Sequence, residues 1–445
     1  MLNSISSIDG RYRKHTEPLA EFFSEQAFMR YRVVVETEYL LALAQIPNFK
    51  IQITSKSQIQ NLGKNFSNED AEEIKKIEQT TNHDFKAIEY WMGEKLPEYK
   101  NWIHFGLTSW DTTNIAYALM IRGALEKVIV PALDNIYNAL RVLSGSTTKY
   151  AMLARTHGQP ASPTTFGKEM AVFASRLGRQ LDQLKGCKLT AKLNGATGNY
   201  NALVVAYPKI DWVAFSKKFI TGFGLEPNLI TTQIEPYDNQ AELFDLMRRI
   251  NTILIGFNQD IWRYISDGWL KQKAIEGEIG SSTMPHKINP IYFENSEGNL
   301  GIANALFAHF SQKLPISRLQ RDLSDSTVMR SIGSAFAYSL IGYCSLQSGL
   351  ERIDVDAGAM GDALDAHPEV LAEPIQTILR REGMEFPYEK LKEFTRGQKL
   401  MLENLRDFIN DLKISDEVKK ELLALTPSGY LGLASKLSRL PDRAD

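Results

Sequence analysis

The sequence predicts an all-α protein built around a bundle of long helices. Three observations carry that prediction. Between Thr112 and Ser144, apolar residues recur at Leu125, Ile129, Leu133, Ile136, Leu140 and Leu143, steps of three and four that trace one helix face. Similar patterns cover 24–44, 164–189, 240–273, 290–313 and 325–352, several of them longer than the usual globular helix. Strand alternation is scarce, and no βαβ rhythm is present. Long helices with broad apolar faces must pack side by side, so a central bundle is expected.

Three regions follow along the chain. Residues 1–97 read as a domain of shorter helices, in which Glu69–Lys76 is a solvated charged face. Residues 98–350 hold the long helices, with Pro131 expected to interrupt one of them and bend it locally. Residues 351–445 return to short helices, punctuated by Pro368, Pro374, Pro387, Pro427 and Pro441. The stretch 331–350 is uncharged and long enough to span a bilayer, but it carries five serines, three glycines and Gln347. It reads as a helix buried on all sides within a large bundle, against other subunits.

Composition narrows the function. With 445 residues, 43% hydrophobic and 23% charged, the chain is an ordinary globular protein with a sizeable core. A net charge of −2 argues against a dedicated nucleic-acid binder. Cys187 and Cys344 are too few for a disulfide framework and suit a cytoplasmic protein. The first ten residues lack a basic stretch followed by an apolar one, so no signal peptide is expected.

The densest chemistry lies in Gly280-Ser-Ser-Thr-Met-Pro-His-Lys-Ile-Asn-Pro290. Glycine and two prolines break its backbone. Hydroxyls, an imidazole, an ammonium and a carboxamide fill the rest. Such a tract between helices reads as an active-site loop on a rigid scaffold. Four of the seven histidines sit in polar clusters: His83, His104, His157 and His286. Hydroxyls and amides around an imidazole fix its tautomer and tune its proton affinity. No His-Glu-x-x-His, Cys-x-x-Cys, Gly-x-Ser-x-Gly or Gly-x-Gly-x-x-Gly occurs, which sets aside zinc, serine-hydrolase and dinucleotide chemistry.

The loop matches the pattern Gly-Ser-Ser-x-Met-Pro-x-Lys-x-Asn at every fixed position, and the chain thereby resembles the fumarase/aspartase superfamily. His286 before the lysine is similar to the adenylosuccinate lyase family within it. So are Ile8-Asp-Gly-Arg-Tyr12, Thr80-Thr-Asn-His-Asp84, Arg155-Thr-His-Gly-Gln-Pro160, Thr231-Thr-Gln-Ile-Glu-Pro236, Phe293-Glu-Asn-Ser-Glu-Gly-Asn299 and Arg321-Asp-Leu-Ser-Asp-Ser326. The resemblance implies a fumarase/aspartase-like fold, a homotetramer with active sites shared between subunits, and β-elimination of fumarate from a succinyl-nucleotide. It implies no cofactor and no metal.

It also assigns roles. Ser281 would be the general base, a role a hydroxyl can fill only in a cationic field such as Lys287 supplies. His157 would be the general acid, with Glu294 beside it. His83 would help to hold phosphate or to polarise the leaving group. The phosphate would meet Arg11, Tyr12, Arg321, Ser326 and Arg330, and the succinyl carboxylates Thr108, Ser109, Gln233, Lys287 and Asn289. Ser282, Asn82, Asp84 and Asn295 complete the implied substrate contacts. Each has a structural alternative: Thr108 and Ser109 could cap a helix, Glu294 could be solvated, Asn295 could bond within the bundle, and Arg321 and Arg330 could pair with Asp322 and Asp325.

Overall fold

The computed structural model describes residues 2–273, 275, 277, 283, 284, 286–385, 387–389, 391 and 401–440. The chain is mostly helical, as the periodicity predicts, and its three small sheets have two strands each among the described residues. Contacts divide it into two units, each discontinuous in sequence.

The first unit comprises Met1–Leu133, Gln180–Thr252 and Gly298–Cys344. Its helix Glu25–Leu43 starts at Ser24, whose hydroxyl accepts from the Ala27 amide, a typical N-cap. This helix packs on Lys56–Lys64 and on Ser109–Ala124. Helices Asn68–Thr81 and Asp84–Lys95 lie against each other over a core that includes Met29, Val33, Ile74, Ile88 and Trp91. Glu69, Asp70, Glu72 and Glu73 begin the first of these, where acidic residues suit the helix dipole, and the Ser67–Asp70 capping box closes its start.

The long helices follow the predicted spans with two revisions. Helix Asp238–Ser266 ends seven residues before Lys273, because Gly268 turns the chain at φ 76° into a strand, Leu270–Gln272. The 325–352 pattern is two helices, Ser324–Met329 and Ile332–Leu350, with a break at Arg330 and Ser331. In the bundle of this unit, Phe244, Phe307, Phe310 and Phe336 interlock at centroid distances of 5.2–6.5 Å. Full burial of one such ring stabilises by about 2–3 kcal/mol. Asn251 stands among them, donating to Ser339 Oγ at 3.0 Å and accepting from Tyr343 OH at 2.6 Å. A satisfied buried amide of this kind fixes the register of neighbouring helices. No residue from Ile332 to Leu350 is exposed, and no described helix is long and apolar enough to cross a membrane.

At Pro131 the predicted single run is divided. A π-helical turn, Leu125–Ile129, precedes it between helices Ser109–Ala124 and Val130–Ser146. The wider turn accommodates a ring that lacks an amide hydrogen.

The second unit comprises Asp134–Arg179, Ile253–Glu297 and Ser345–Asp445. Its hairpin pairs Ala151–Thr156 with Gln159–Thr165. Strand Leu270–Gln272 pairs antiparallel with Ile353–Val355. The Asn258 amide bonds Ser296 Oγ at 2.9 Å, and Phe173 meets Phe257 edge-on at 5.2 Å. Gly167 is tightly placed: a Cβ there would lie 2.5 Å from the Ser144 carbonyl oxygen. Leu371, Ile375, Leu379, Leu405, Ile409 and Leu422 form a separate small core in the C-terminal segment.

Candidate active site

In the first unit, the turn between helices Asn68–Thr81 and Asp84–Lys95 carries Asn82, His83 and Asp84. Asn82 is left-handed, at φ 50°, and closes the first helix through its amide to Glu78 O at 2.7 Å. His83 opens the second: its Nδ1 accepts from the Lys86 amide at 3.2 Å. An accepting Nδ1 places the neutral ring's proton on Nε2, so an exposed imidazole offers an N–H outward. Asp84 Oδ2 accepts from Arg32 at 3.0 Å and from Arg330 at 2.8 Å. Burial pushes the Asp84 carboxyl up, but the two guanidiniums and the Phe85 amide outweigh it and bring its pKa down to about 2. Arg32 itself is buried, with its guanidinium 3.7 Å from the centroid of the Phe28 ring.

Thr108 and Ser109 begin helix Ser109–Ala124, so the capping alternative is realised in part: the Thr108 amide donates to Asp111 Oδ2 at 2.9 Å. Both side chains remain partly accessible and compatible with ligand binding. Gln233 and Arg321 are brought together, 88 residues apart in sequence, with Arg321 Nη1 to Gln233 Oε1 at 3.4 Å. The Arg321 guanidinium lies 4.4 Å over the Trp110 ring, beside the Thr108–Ser109 turn. Arg321 meets Gln233 and Arg330 meets Asp84, whereas Asp325 is buried and accepts from Tyr237 OH at 3.0 Å. Its Oδ1 accepts from the Ser326 amide at 2.7 Å. The N-terminal motif reaches the same unit: Ser6, Ile8, Asp9 and Arg13 share a cavity of about 290 Å³ with Arg330. Arg11 is exposed, 5.9 Å from the Tyr12 ring centroid.

Several residues of this region carry no role in the sequence reading. His104, left-handed at φ 58°, bonds Glu36 twice: Nδ1 to Oε1 at 2.8 Å and its amide to Oε2 at 3.0 Å. Thr112 adds a third bond to Glu36 at 2.6 Å. Burial opposes the charge on His104, yet Glu36 wins and raises its pKa. Arg32 and Glu36 were detectable in principle. They are two opposite charges at i and i+4 on the face of a helix that also carries Phe28, Val35 and Tyr39.

The second unit holds the other group. His157 stands at the tip of the hairpin, where Thr156 pairs with Gln159 and the two intervening residues are both left-handed, His157 at φ 55° and Gly158 at φ 75°. This is the two-residue turn that matches the twist of paired strands. It projects an exposed imidazole from a rigid ladder. Lys287 is exposed, and its amide donates to Met284 O at 3.0 Å. The carbonyl before Asn289 accepts from Gln272 Nε2 at 2.6 Å, which ties the loop to strand Leu270–Gln272. Glu294 is exposed on helix Ile291–Lys313 and accepts from Trp262 Nε1 at 3.1 Å. Asn295, its neighbour, is half-buried. Ser281 and Ser282 lie outside the described residues.

The chain is similar to known proteins over nearly its whole length. The profile of the lyase family matches residues 10–304, and that of the adenylosuccinate lyase C-terminal region matches 317–431. The chain is 49% identical to adenylosuccinate lyase of Vibrio cholerae over 98% of both chains. The chain belongs to the adenylosuccinate lyase family. It is also 47% identical to the Escherichia coli K12 member over 97% of both chains, and 49% identical to the one from Dictyostelium discoideum over 97% of both. Among solved structures, a fumarate lyase from Mesorhizobium superposes with a TM-score of 0.78 at 20% identity, covering 95% of this chain and 96% of that one. A 3-carboxy-cis,cis-muconate lactonizing enzyme from Pseudomonas putida gives 0.73 at 20% identity, covering 95% of both. These two likenesses concern the all-α fold of the superfamily.

Proposed function

We propose that this protein splits adenylosuccinate into AMP and fumarate, and SAICAR into AICAR and fumarate, by β-elimination across a C–N bond. The observation that carries the reading is end-to-end identity near one half with adenylosuccinate lyases of three organisms. The geometry of the first unit supports it. A substrate with a phosphate and two carboxylates needs fixed cations and donors, and Arg330, Arg321, Gln233, Thr108 and Ser109 supply them on ordered elements.

The proton to be removed sits beside a carboxylate, so its departure creates a doubly charged aci-carboxylate. Lys287, Asn289 and the Thr108–Ser109 turn are the proposed stabilisers. Ser281, under the field of Lys287, takes the proton. His157 delivers one to the leaving nitrogen, with Glu294 favouring the imidazolium beforehand. His83 offers Nε2–H to the phosphate or the leaving group. Arg11, Tyr12 and Ser326 complete the phosphate site, and Ser282, Asn82, Asp84 and Asn295 the remaining contacts.

The working unit is proposed to be a cytoplasmic homotetramer whose subunits share sites, with the three sequence regions 1–97, 98–350 and 351–445 as its domains. Large apolar side chains exposed along the long helices, among them Trp262, Ile291 and Ile302, support association. No nucleic acid or membrane partner enters this reading.

Loss of adenylosuccinate absorbance tests the activity. Rapid cleavage with no action on aspartate, argininosuccinate or malate is expected; a folded protein inert toward adenylosuccinate overturns the proposal. Mixing His157→Ala with Ser281→Ala subunits tests sharing, and recovery of activity after subunit exchange is expected.

A further inference from the structure

We propose that the buried pair Asp111–Lys192 is a positioning device that holds the Thr108–Ser109 turn where a succinyl carboxylate docks. The inference rests on the assignment of that turn to the succinyl group.

Both side chains are fully buried, and Lys192 Nζ lies 2.7 Å from Asp111 Oδ1. Burying two charges costs more in desolvation than their attraction usually returns, so such a pair is poor as mere glue. Its value lies in what the carboxylate gathers. Asp111 accepts from the amides of Thr108 at 2.9 Å, Asn194 at 3.0 Å and Gly195 at 3.2 Å. Lys192 Nζ also donates to Gly195 O at 2.9 Å. Asn114 locks the arrangement from below, accepting from the Lys192 amide at 2.8 Å and donating to Lys192 O at 3.0 Å.

The loop so captured leads to a second substrate segment. Gly195 and Gly198 are left-handed, at φ 86° and 81°. A Cβ on Gly198 would lie 2.0 Å from Thr231 O, so the backbones touch there. Asn194 Nδ2 bonds Thr231 Oγ1 at 2.8 Å, two residues before Gln233, which Arg321 meets. One carboxylate therefore sets the Thr108–Ser109 turn and, through a single short loop, the Gln233 segment. Two groups proposed to grip the same dicarboxylate are registered to each other by a pair that never meets solvent. Donors aimed at a developing aci-carboxylate must be fixed before the charge arrives, since later reorganisation adds to the barrier.

The test is kinetic, on the full-length protein. In Asp111→Asn an amide N–H replaces an acceptor that faces backbone N–H groups, and Lys192 loses its counter-charge. A drop in kcat/KM for adenylosuccinate of about 100-fold is expected, the scale of a misplacement near 1 Å. Inhibition by fumarate should weaken about tenfold, a loss of about 1.4 kcal/mol. Inhibition by AMP, which lacks the succinyl group, should hold within about twofold, equivalent to under about 0.5 kcal/mol. Lys192→Gln, which keeps a donor but no charge, should show the same pattern more weakly.

Turnover of both variants near that of the unaltered protein overturns the inference, as does a parallel loss of AMP and fumarate inhibition. Failure of both variants to fold by circular dichroism assigns the pair to stability and overturns it too. Ser109→Ala separates the underlying reading. If that variant binds fumarate and turns over normally, the assignment of the turn fails and takes the inference with it. If it is impaired while Asp111→Asn is normal, the inference alone fails.

Discussion

Arg330 reaches Asp84 at 2.8 Å across 246 residues of sequence, on the same carboxylate oxygen that Arg32 holds at 3.0 Å. Two guanidiniums share one carboxylate, so the cluster keeps a net positive charge. Arg32 is nearly inaccessible, at 6% side-chain exposure, whereas Arg330 is 47% exposed. The buried cation anchors Asp84, and Asp84 in turn holds the accessible one in place.

Asp84→Asn should therefore destabilise the fold by about 2 kcal/mol at pH 7, the value of holding a carboxyl about two units below its usual pKa. The lowered pKa sets the sign. The stabilisation is complete above pH ~4 and is lost as pH falls through about 2. Urea unfolding of both proteins between pH 7 and pH 2.5 should show the gap narrowing at the acid end. A constant gap would contradict the assignment.

The His104–Glu36 pair predicts the opposite direction. Burial disfavours the imidazolium, but Glu36 more than compensates, and the folded pKa is raised. Its stabilisation is fully present below pH ~6.5 and fades as pH rises through the folded value. Thermal melts of the unaltered protein and His104→Gln should thus differ most at pH 6 and converge toward alkaline pH. A difference that grows with pH would refute the pairing.

Arg321→Lys should raise KM for adenylosuccinate by about tenfold or more with a smaller change in kcat. Lysine keeps the charge but lacks the planar fork that spans Gln233 and lies over Trp110. Steady-state kinetics at fixed ionic strength decide this, and an unchanged KM would remove Arg321 from the phosphate site.

Ser281→Ala and His157→Ala should each lower kcat by ~10²–10⁴-fold while substrate still binds. Single-turnover and equilibrium binding measurements separate the two effects. Near-normal turnover in either variant would end its assignment.

Legibility in the sequence varied with the range of the interaction. Helices Glu25–Leu43, Phe166–Lys185 and Ile291–Lys313 were readable because a periodic apolar face is local information. The end of helix Asp238–Ser266 was not, because its following strand pairs with Ile353–Val355, some eighty residues later. The hairpin around His157 was hidden by Pro160 and Pro163, which blur strand alternation. The ladder indeed slips register between Met152 and Ala154, in the stretch facing Ser162 and Pro163. In the candidate site, motif matching pointed to Thr108, Gln233 and Arg321, of which the fold brings Gln233 and Arg321 together. It passed over Arg32, Glu36 and Lys192, whose significance depends on partners 52, 68 and 81 positions away.

The hairpin tip bears on how its imidazole should be probed. Alanine forced into a left-handed backbone costs about 1 kcal/mol or more in steric conflict, independent of any proton it fails to deliver. Asparagine visits that region readily and is of similar reach, so His157→Asn isolates chemistry from conformation. A mutational survey at this position would then sort residues by two separate filters, backbone handedness and the proposed acidity.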